Sequence, residues 1–189
     1  MELNNKYYIL RHGEALSNVK NIVSCWPEKF INHLTTEGNN SARRSAQELK
    51  TKNINFIFAS DLARTKETAE IAGDILGVKL EYDKRLREIN FGIFNSGPTE
   101  KFEEYFKKKT DRMDKAAPGG ENYKDVLKRV ADFFEEINNK YKAQNILIIS
   151  HQLPLFLLEG YAKGFSILET IEKIPEEKLL REAELRELN

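Results

Sequence analysis

The chain has 189 residues, enough to bury one sizeable core and fitting a single domain over 1–189. Its 30 lysines and arginines balance 30 aspartates and glutamates, so no net field draws it to nucleic acid or an anionic membrane, and any anion must be captured locally. Cys25 is the only cysteine, which excludes an intrachain disulfide and suits a reducing compartment. The opening MELNNK lacks a basic segment leading into an apolar one, and no apolar run approaches membrane-spanning length, so the expected location is the cytoplasm.

In chain order, Tyr7–Leu10 reads as a short buried strand running straight into Arg11, His12 and Gly13. Thr35 is placed to cap a helix that carries Ala42, Ala46 and Leu49 at helical spacing, although Gly38 in its first turn weakens that helix by about 1 kcal/mol. NFIFAS predicts a second strand, with Ser60 or Asp61 capping a helix whose inward face is Leu62, Ala69, Ala72 and Leu76. VKLEY, after Gly77, predicts a third and shorter strand. FGIFNSGPTE is a loop, followed by a charged, aromatic helix around Phe102–Lys109 and then the strong punctuation of APGGEN. Val126, Val130, Phe133, Ile137 and Tyr141 form one stripe of a long amphipathic helix. NILIIS is the last buried strand, and a helix with Pro154 in its first turn follows it. The tail PEEKLLREAELREL has helical propensities, while its ELREL end alternates like an edge strand. Wholly apolar strands alternating with helices imply an α/β fold whose mostly parallel sheet is covered on both faces.

In open parallel sheets, ligands sit beyond the carboxyl ends of the strands. Here the first strand ends in Arg11-His12, the second runs through Ser60-Asp61 to Arg64 in a first helical turn, and the last ends in His151. Of the three histidines only His33 lies off a strand end, and it reads as structural. Taken singly, RHG is a turn, Arg64 a solvated helix cation and His151 a hydrogen-bonded buried residue. Taken together, guanidiniums, imidazoles and a helix N-terminus in one crevice make a pocket for a small, multiply charged anion such as phosphate. No arginine follows Cys25 at the spacing of a cysteine-phosphatase loop, and no GxxxxGK[ST] loop, HExxH or His pair at i, i+4 is present. A histidine nucleophile remains.

The pieces LRHGEALSN, LTTEG, ASDLARTKETAE, LREINFG, PGGEN and NILIISHQ, in that order, resemble the histidine phosphatase superfamily, also called phosphoglycerate mutase-like, over nearly the whole chain. The resemblance implies a three-layer α/β/α sandwich. It implies that His12 takes the phosphoryl group as phosphohistidine, with Arg11, Arg64 and His151 around the phosphate and Asn18 alongside. It further implies that Glu88 gives a proton to the leaving group. Neither cofactor nor metal is implied. Two departures from the family pattern stand out. Gln152 replaces the glycine of the usual SHG at a phosphate-binding position, and FGIFNSG replaces an aromatic–acid–glycine stretch facing the leaving group.

The leading expectation is a metal-independent phosphoric monoester hydrolase of the histidine acid phosphatase type, acting on a small phosphorylated substrate. A mutase that returns the phosphoryl group to a second hydroxyl is the alternative within enzymes, although mutases of the family carry longer insertions. A phospho-ligand binding protein without turnover is the alternative outside them. Specificity is expected in a lid-like insert at about 91–118, where YFKKKTDRMDK reads either as a site for a second anionic group or as a solvated helix face.

Overall fold

The computed structural model describes residues 2–189. Four parallel strands, β1 (Lys6–Arg11), β2 (Phe56–Ala59), β3 (Leu80–Tyr82) and β4 (Asn145–Ser150), are joined by an antiparallel edge strand, β5 (Leu185–Glu187), in the order β3-β2-β4-β1-β5. The tail therefore resolves as an edge strand, preceded by a single 3₁₀ turn at Glu176–Lys178. The described residues also form seven α-helices: α1 (Leu16–Val19), α2 (Thr36–Glu48), α3 (Ala63–Leu76), α4 (Thr99–Glu104), α5 (Tyr123–Lys140), α6 (Gln152–Ala162) and α7 (Ile167–Lys173).

Alternation along the strands divides the apolar side chains between two cores. Tyr7, Ile9, Phe58, Ile146 and Ile148 face α5 and α6, meeting Val126, Val130, Phe133, Ile137, Leu155 and Leu158. Tyr8, Leu10, Ile57, Ala59, Leu147 and Ile149 face the other side, against Ala46 of α2, Leu49 just after it, and Ala69 and Ala72 of α3. This is the α/β/α arrangement in which strands buried on both faces lose their polar alternation. Among the described residues no helix is long and apolar enough to cross a membrane.

Two local expectations need correction. Neither Ser60 nor Asp61 caps α3. Its N-cap is Leu62, and the free Ala63 N–H donates to Glu28 at 3.1 Å. The two polar side chains are committed elsewhere, Ser60 to His151 and Asp61 to Arg87. Likewise the helix expected over Phe102–Lys109 lies earlier, at Thr99–Glu104, and a separate 3₁₀ turn occupies Lys109–Met113. An aromatic cluster ends the helix there: Phe102, Phe106, Phe94 and Tyr105 pack ring on ring, with centroids 5.0–5.9 Å apart, and the chain bends to bring them together.

Thr35 does cap α2, accepting from the Gly38 N–H at 2.9 Å. Gly38 is there for contact rather than propensity. A Cβ on it would lie 2.0 Å from the Glu14 carbonyl oxygen, and one on Gly13 would lie 2.4 Å from the Gly38 carbonyl oxygen. Two backbones touch face to face just after His12, which fixes how the chain leaves β1. Helix propensity alone says Gly38→Ala should stabilise by about 1 kcal/mol. The contact reverses the sign, and we expect a loss of about 1–3 kcal/mol, the usual scale of overpacking. A thermal melt decides the matter: an unchanged or raised Tm would show that the two backbones can separate freely.

Candidate active site

The site is assembled by register. Arg11 pairs with Ser150 and Ala59 with Ile149, so β1, β4 and β2 end together. The ladder continues one step past the strands, from His12 N–H to the Ser150 carbonyl and from Ser60 N–H to the Ile149 carbonyl, both at 3.1 Å. His12, Ser60 and His151 thus emerge side by side at the carboxyl end of the sheet. The rings of His12 and His151 lie 5.2 Å apart, centroid to centroid.

His12 is buried, and its Nδ1 lies 2.8 Å from the Gly13 carbonyl oxygen. A carbonyl can only accept, so Nδ1 carries the proton and Nε2 keeps its lone pair. Arg64 Nε donates to that lone pair at 3.1 Å. Burial, then Arg64, then Arg11 hold the imidazole well below its ordinary pKa, so it is neutral at physiological pH. His151, also buried, is likewise held well below its ordinary pKa, by burial and then by Arg64. The Ser60 hydroxyl, 2.9 Å from His151 Nε2, can donate to it and leave the proton on Nδ1.

Among the described residues, three buried nitrogens around His12 have no hydrogen-bond partner: Arg11 Nε, Arg64 Nη1 and His151 Nδ1. A Glu28 carboxylate oxygen lies 3.9 Å from Arg64 Nη1, beyond hydrogen-bond reach. Leaving such groups unpaired costs about 1–3 kcal/mol each, more when charged. They are convergent donors, and a tetrahedral oxyanion offers matching acceptors. The rest of the Arg64 guanidinium is fixed by the Ser24 carbonyl at 3.0 Å. Arg11 is fixed by the Leu180 carbonyl at 3.0 Å and by Glu182 at 2.7 Å. Asn18, in α1, accepts from the Ala15 N–H at 3.0 Å, which turns its amide nitrogen outward to donate to the same Glu182 oxygen at 3.0 Å. One half-buried carboxylate from the tail therefore sits across two of the predicted phosphate ligands.

Glu88 lies in the loop after β3, half-buried, with its carboxylate accepting from the Ile89 N–H at 2.9 Å. Burial raises its pKa above the ordinary carboxylate value despite the opposing pull of Arg64, Arg11 and Arg129. The loop is tied from both sides. Arg87 makes a bidentate pair with Asp61 at 2.6 Å. Arg129, from α5, donates to the carbonyls of Arg85, Arg87 and Glu88 at 2.6, 2.7 and 3.2 Å and pairs with Glu121, which accepts from the Asn90 N–H. Gly120 of PGGEN is needed for the same fit, since a Cβ there would lie 2.5 Å from the Asn90 carbonyl oxygen. Cys25 is buried nearby with its thiol pushed up to about 11, so it stays protonated and is no rival nucleophile.

Arg11, His12, Asn18, Arg64 and His151 are thus brought together around one point, with Glu88 in the loop above them. Gln152 stands at the first turn of α6, where its side chain reaches the Leu180 carbonyl at 3.4 Å and lines the cavity beyond Glu88. His33 pairs with Glu67 away from the crevice. Residue-by-residue reading missed Glu182, Arg129 and Glu121. Only Glu121 had a signal, its place in PGGEN. Among the described residues no group of three or more His, Cys, Asp or Glu side chains is placed to hold a metal ion.

The sheet and its strand-end crevice are those of the phosphoglycerate mutase-like class of α/β proteins. The mycobacterial glucosyl-3-phosphoglycerate phosphatase superposes with a TM-score of 0.82 at 21% identity over 96% of this chain and 90% of its own. The α-ribazole phosphatase of Shigella flexneri gives 0.79 at 22% over 96% and 89%. These two likenesses carry the fold. The family follows from sequence: the model of the histidine phosphatase superfamily (branch 1) matches residues 7–175, and the chain belongs to that superfamily. The probable phosphoglycerate mutase GpmB of Photorhabdus laumondii is 30% identical over 162 residues, 83% of this chain and 74% of that protein.

Glu182 competes electrostatically with any anion held by Arg11 and Asn18. We expect Glu182→Gln to bind inorganic phosphate about two- to fivefold more tightly, the scale of one partly exposed charge. Calorimetric titration measures this directly. Weaker binding would instead make Glu182 a strut that holds Arg11 in place.

Proposed function

We propose that the protein is a metal-independent phosphomonoesterase that works through a phosphohistidine on His12. The observation that carries the reading is the state of that imidazole: neutral, its proton fixed on Nδ1 by Gly13, its Nε2 lone pair facing unpaired buried donors. In the first step Arg64 Nε moves from Nε2 to a phosphoryl oxygen. Nε2 then attacks phosphorus as the bond to the leaving oxygen breaks, and that oxygen takes the proton of the Glu88 carboxyl. In the second step the Glu88 carboxylate removes a proton from water, whose oxygen attacks phosphorus. The N–P bond breaks and neutral His12 is regenerated with inorganic phosphate. Arg11, Arg64, His151 and Asn18 supply fixed donors to the transferring oxygens, which is most of what phosphoryl transfer requires.

Hydrolysis rather than mutase transfer is supported by the cover over the site. The lid, residues 91–118, holds only the six-residue helix α4, one 3₁₀ turn at Gly92–Phe94 and another at Lys109–Met113. The cavity rim is formed by exposed side chains such as Glu103 and Glu176. Water therefore reaches the phosphohistidine before a bound alcohol can turn and reclaim the group. Rapid quench with labelled substrate should trap acid-labile, base-stable phosphate on the protein, and inorganic phosphate should match substrate consumed without a bisphosphate primer. His12→Ala should lose both trapping and turnover. Isomerised phosphoester as the main product would make the protein a mutase, and a folded protein inert toward phosphomonoesters would make it a binding module.

The pKa directions set the pH profile. His12 must be unprotonated, and its lowered pKa places the acid limb below the ordinary imidazole range. Glu88 must be protonated, and its raised pKa carries activity above the ordinary carboxylate range before it falls with rising pH. Glu88→Gln should abolish the alkaline limb and slow alkoxide-leaving substrates by about 10²–10⁴-fold, with a smaller deficit for p-nitrophenyl phosphate. An alkaline limb that survives the substitution would assign the titration to another group.

A further inference from the structure

Beyond Glu88 the crevice continues into a cavity of about 190 Å³ beneath the lid. Its volume is below the roughly 300–1,000 Å³ of drug-sized ligand pockets, room for one ring or a short chain. Phe91, Phe102, Phe156 and Leu153 give it an apolar wall, and Glu88 and Gln152 stand at the end nearest His12.

Two cations also line the cavity, and the tertiary structure separates them from their neighbours. In KKKTDRMDK, Lys107, Lys108 and Lys115 are exposed, whereas Lys109 and Arg112 are half-buried and line the cavity. The Lys109 ammonium lies 5.5 Å from the centre of the Phe156 ring. The Arg112 guanidinium lies 5.0 and 5.1 Å from the centres of the Phe102 and Phe106 rings, stacked within the aromatic cluster. Among the described residues neither cation has a carboxylate partner, and Arg112 Nε is buried without any hydrogen-bond partner. The acids of the same cavity, Glu103 and Glu176, are exposed and pair with neither cation. A solvated helix face does not seat two cations against aromatic rings with no carboxylate partner, Arg112 having only the Tyr123 hydroxyl beside it. Such cations, lining an apolar slot, are suited to an anion brought in by a ligand.

We infer that the cavity holds the leaving alcohol of the substrate, and that this alcohol combines a small apolar body with a second anionic group received between Lys109 and Arg112. The inference rests on the proposed phosphatase reading, which puts the ester oxygen at Glu88. Lys109 and Arg112 are then the residues that choose the substrate. Phosphomonoesters of plain or cationic alcohols leave both cations unpaired, and are discriminated against for that reason.

The test compares benzyl phosphate with 4-carboxybenzyl phosphate and its neutral 4-carboxamide. In the wild-type protein, kcat/KM should be about tenfold higher for the carboxylate than for either neutral ester, the scale of one charge-assisted hydrogen bond. In Arg112→Gln and in Lys109→Gln that ratio should shrink, each enzyme serving as its own reference. Equal kcat/KM for all three esters in the wild-type protein, or a ratio untouched by both substitutions, overturns the inference while leaving the phosphatase reading in place. Calorimetric binding of benzylphosphonate and 4-carboxybenzylphosphonate separates the two readings, because these analogues cannot turn over. Preferential binding of the carboxylate analogue to a protein that hydrolyses none of the esters supports the pocket and sinks the phosphatase. Equal binding of the two phosphonates counts against the pocket whatever the turnover.

Discussion

The position of β4 between β1 and β2 is the constraint on which the crevice depends. Parallel pairing on both sides ends three strands at the same level, and the hydrogen-bond ladder carries on one residue further, to His12 and Ser60. Two histidines 139 positions apart in sequence thereby come to ring-to-ring distance. The apolar runs in β1 and β4 thus do more than fill a core. Because each strand is buried on both faces, a one-residue slip would turn every side chain to the opposite side, and so the register that places the imidazoles is held by packing.

Electrostatics then act on that frame. Burial and two guanidiniums keep His12 neutral, while burial prevails over the same guanidiniums to raise the Glu88 carboxyl. Burial therefore pushes both groups toward their uncharged forms, the direction that the proposed attack by His12 and proton donation by Glu88 would need. The guanidiniums themselves are tethered at some nitrogens and free at others, which prepares them for an anion without leaving them mobile. The ties on the Glu88 loop, Arg87 to Asp61 and Arg129 to three carbonyls, hold that carboxyl in place, as its proposed role of proton donor requires.

The lid shows how a charged stretch can hold two kinds of residue. In sequence, KKKTDRMDK offers no distinction between its cations. The aromatic rings of Phe102 and Phe106 make one, by turning the chain after α4 so that Lys109 and Arg112 face inward and the flanking lysines face water. The same rings account for the displaced helix boundary in this region. Helical propensity spoke for continuing past Glu104, and ring packing outweighed it.

The sequence by itself determined the alternation of strands and helices, the Thr35 cap, the amphipathic stripe of α5 and the strand-end placement of Arg11, His12, Arg64 and His151. Apolar periodicity and turn chemistry are local quantities, and the site residues sit directly beside them. The ordered family motifs added Asn18 and Glu88, for which local pattern gave no reason of its own. Tertiary structure alone decided that Gly38 is a contact and not a weakness, that Leu62 rather than Ser60 or Asp61 is the N-cap of α3, and that the ELREL end joins β1 as an edge strand. It also brought in Glu182, Arg129 and Glu121. Each of these depends on a partner tens of residues away or more: Glu14 for Gly38, His151 for Ser60, Arg11 for Glu182, the Glu88 loop for Arg129. A carboxylate or guanidinium on a polar segment reads as solvated until the fold places its counterpart, and no periodicity in the chain encodes that meeting.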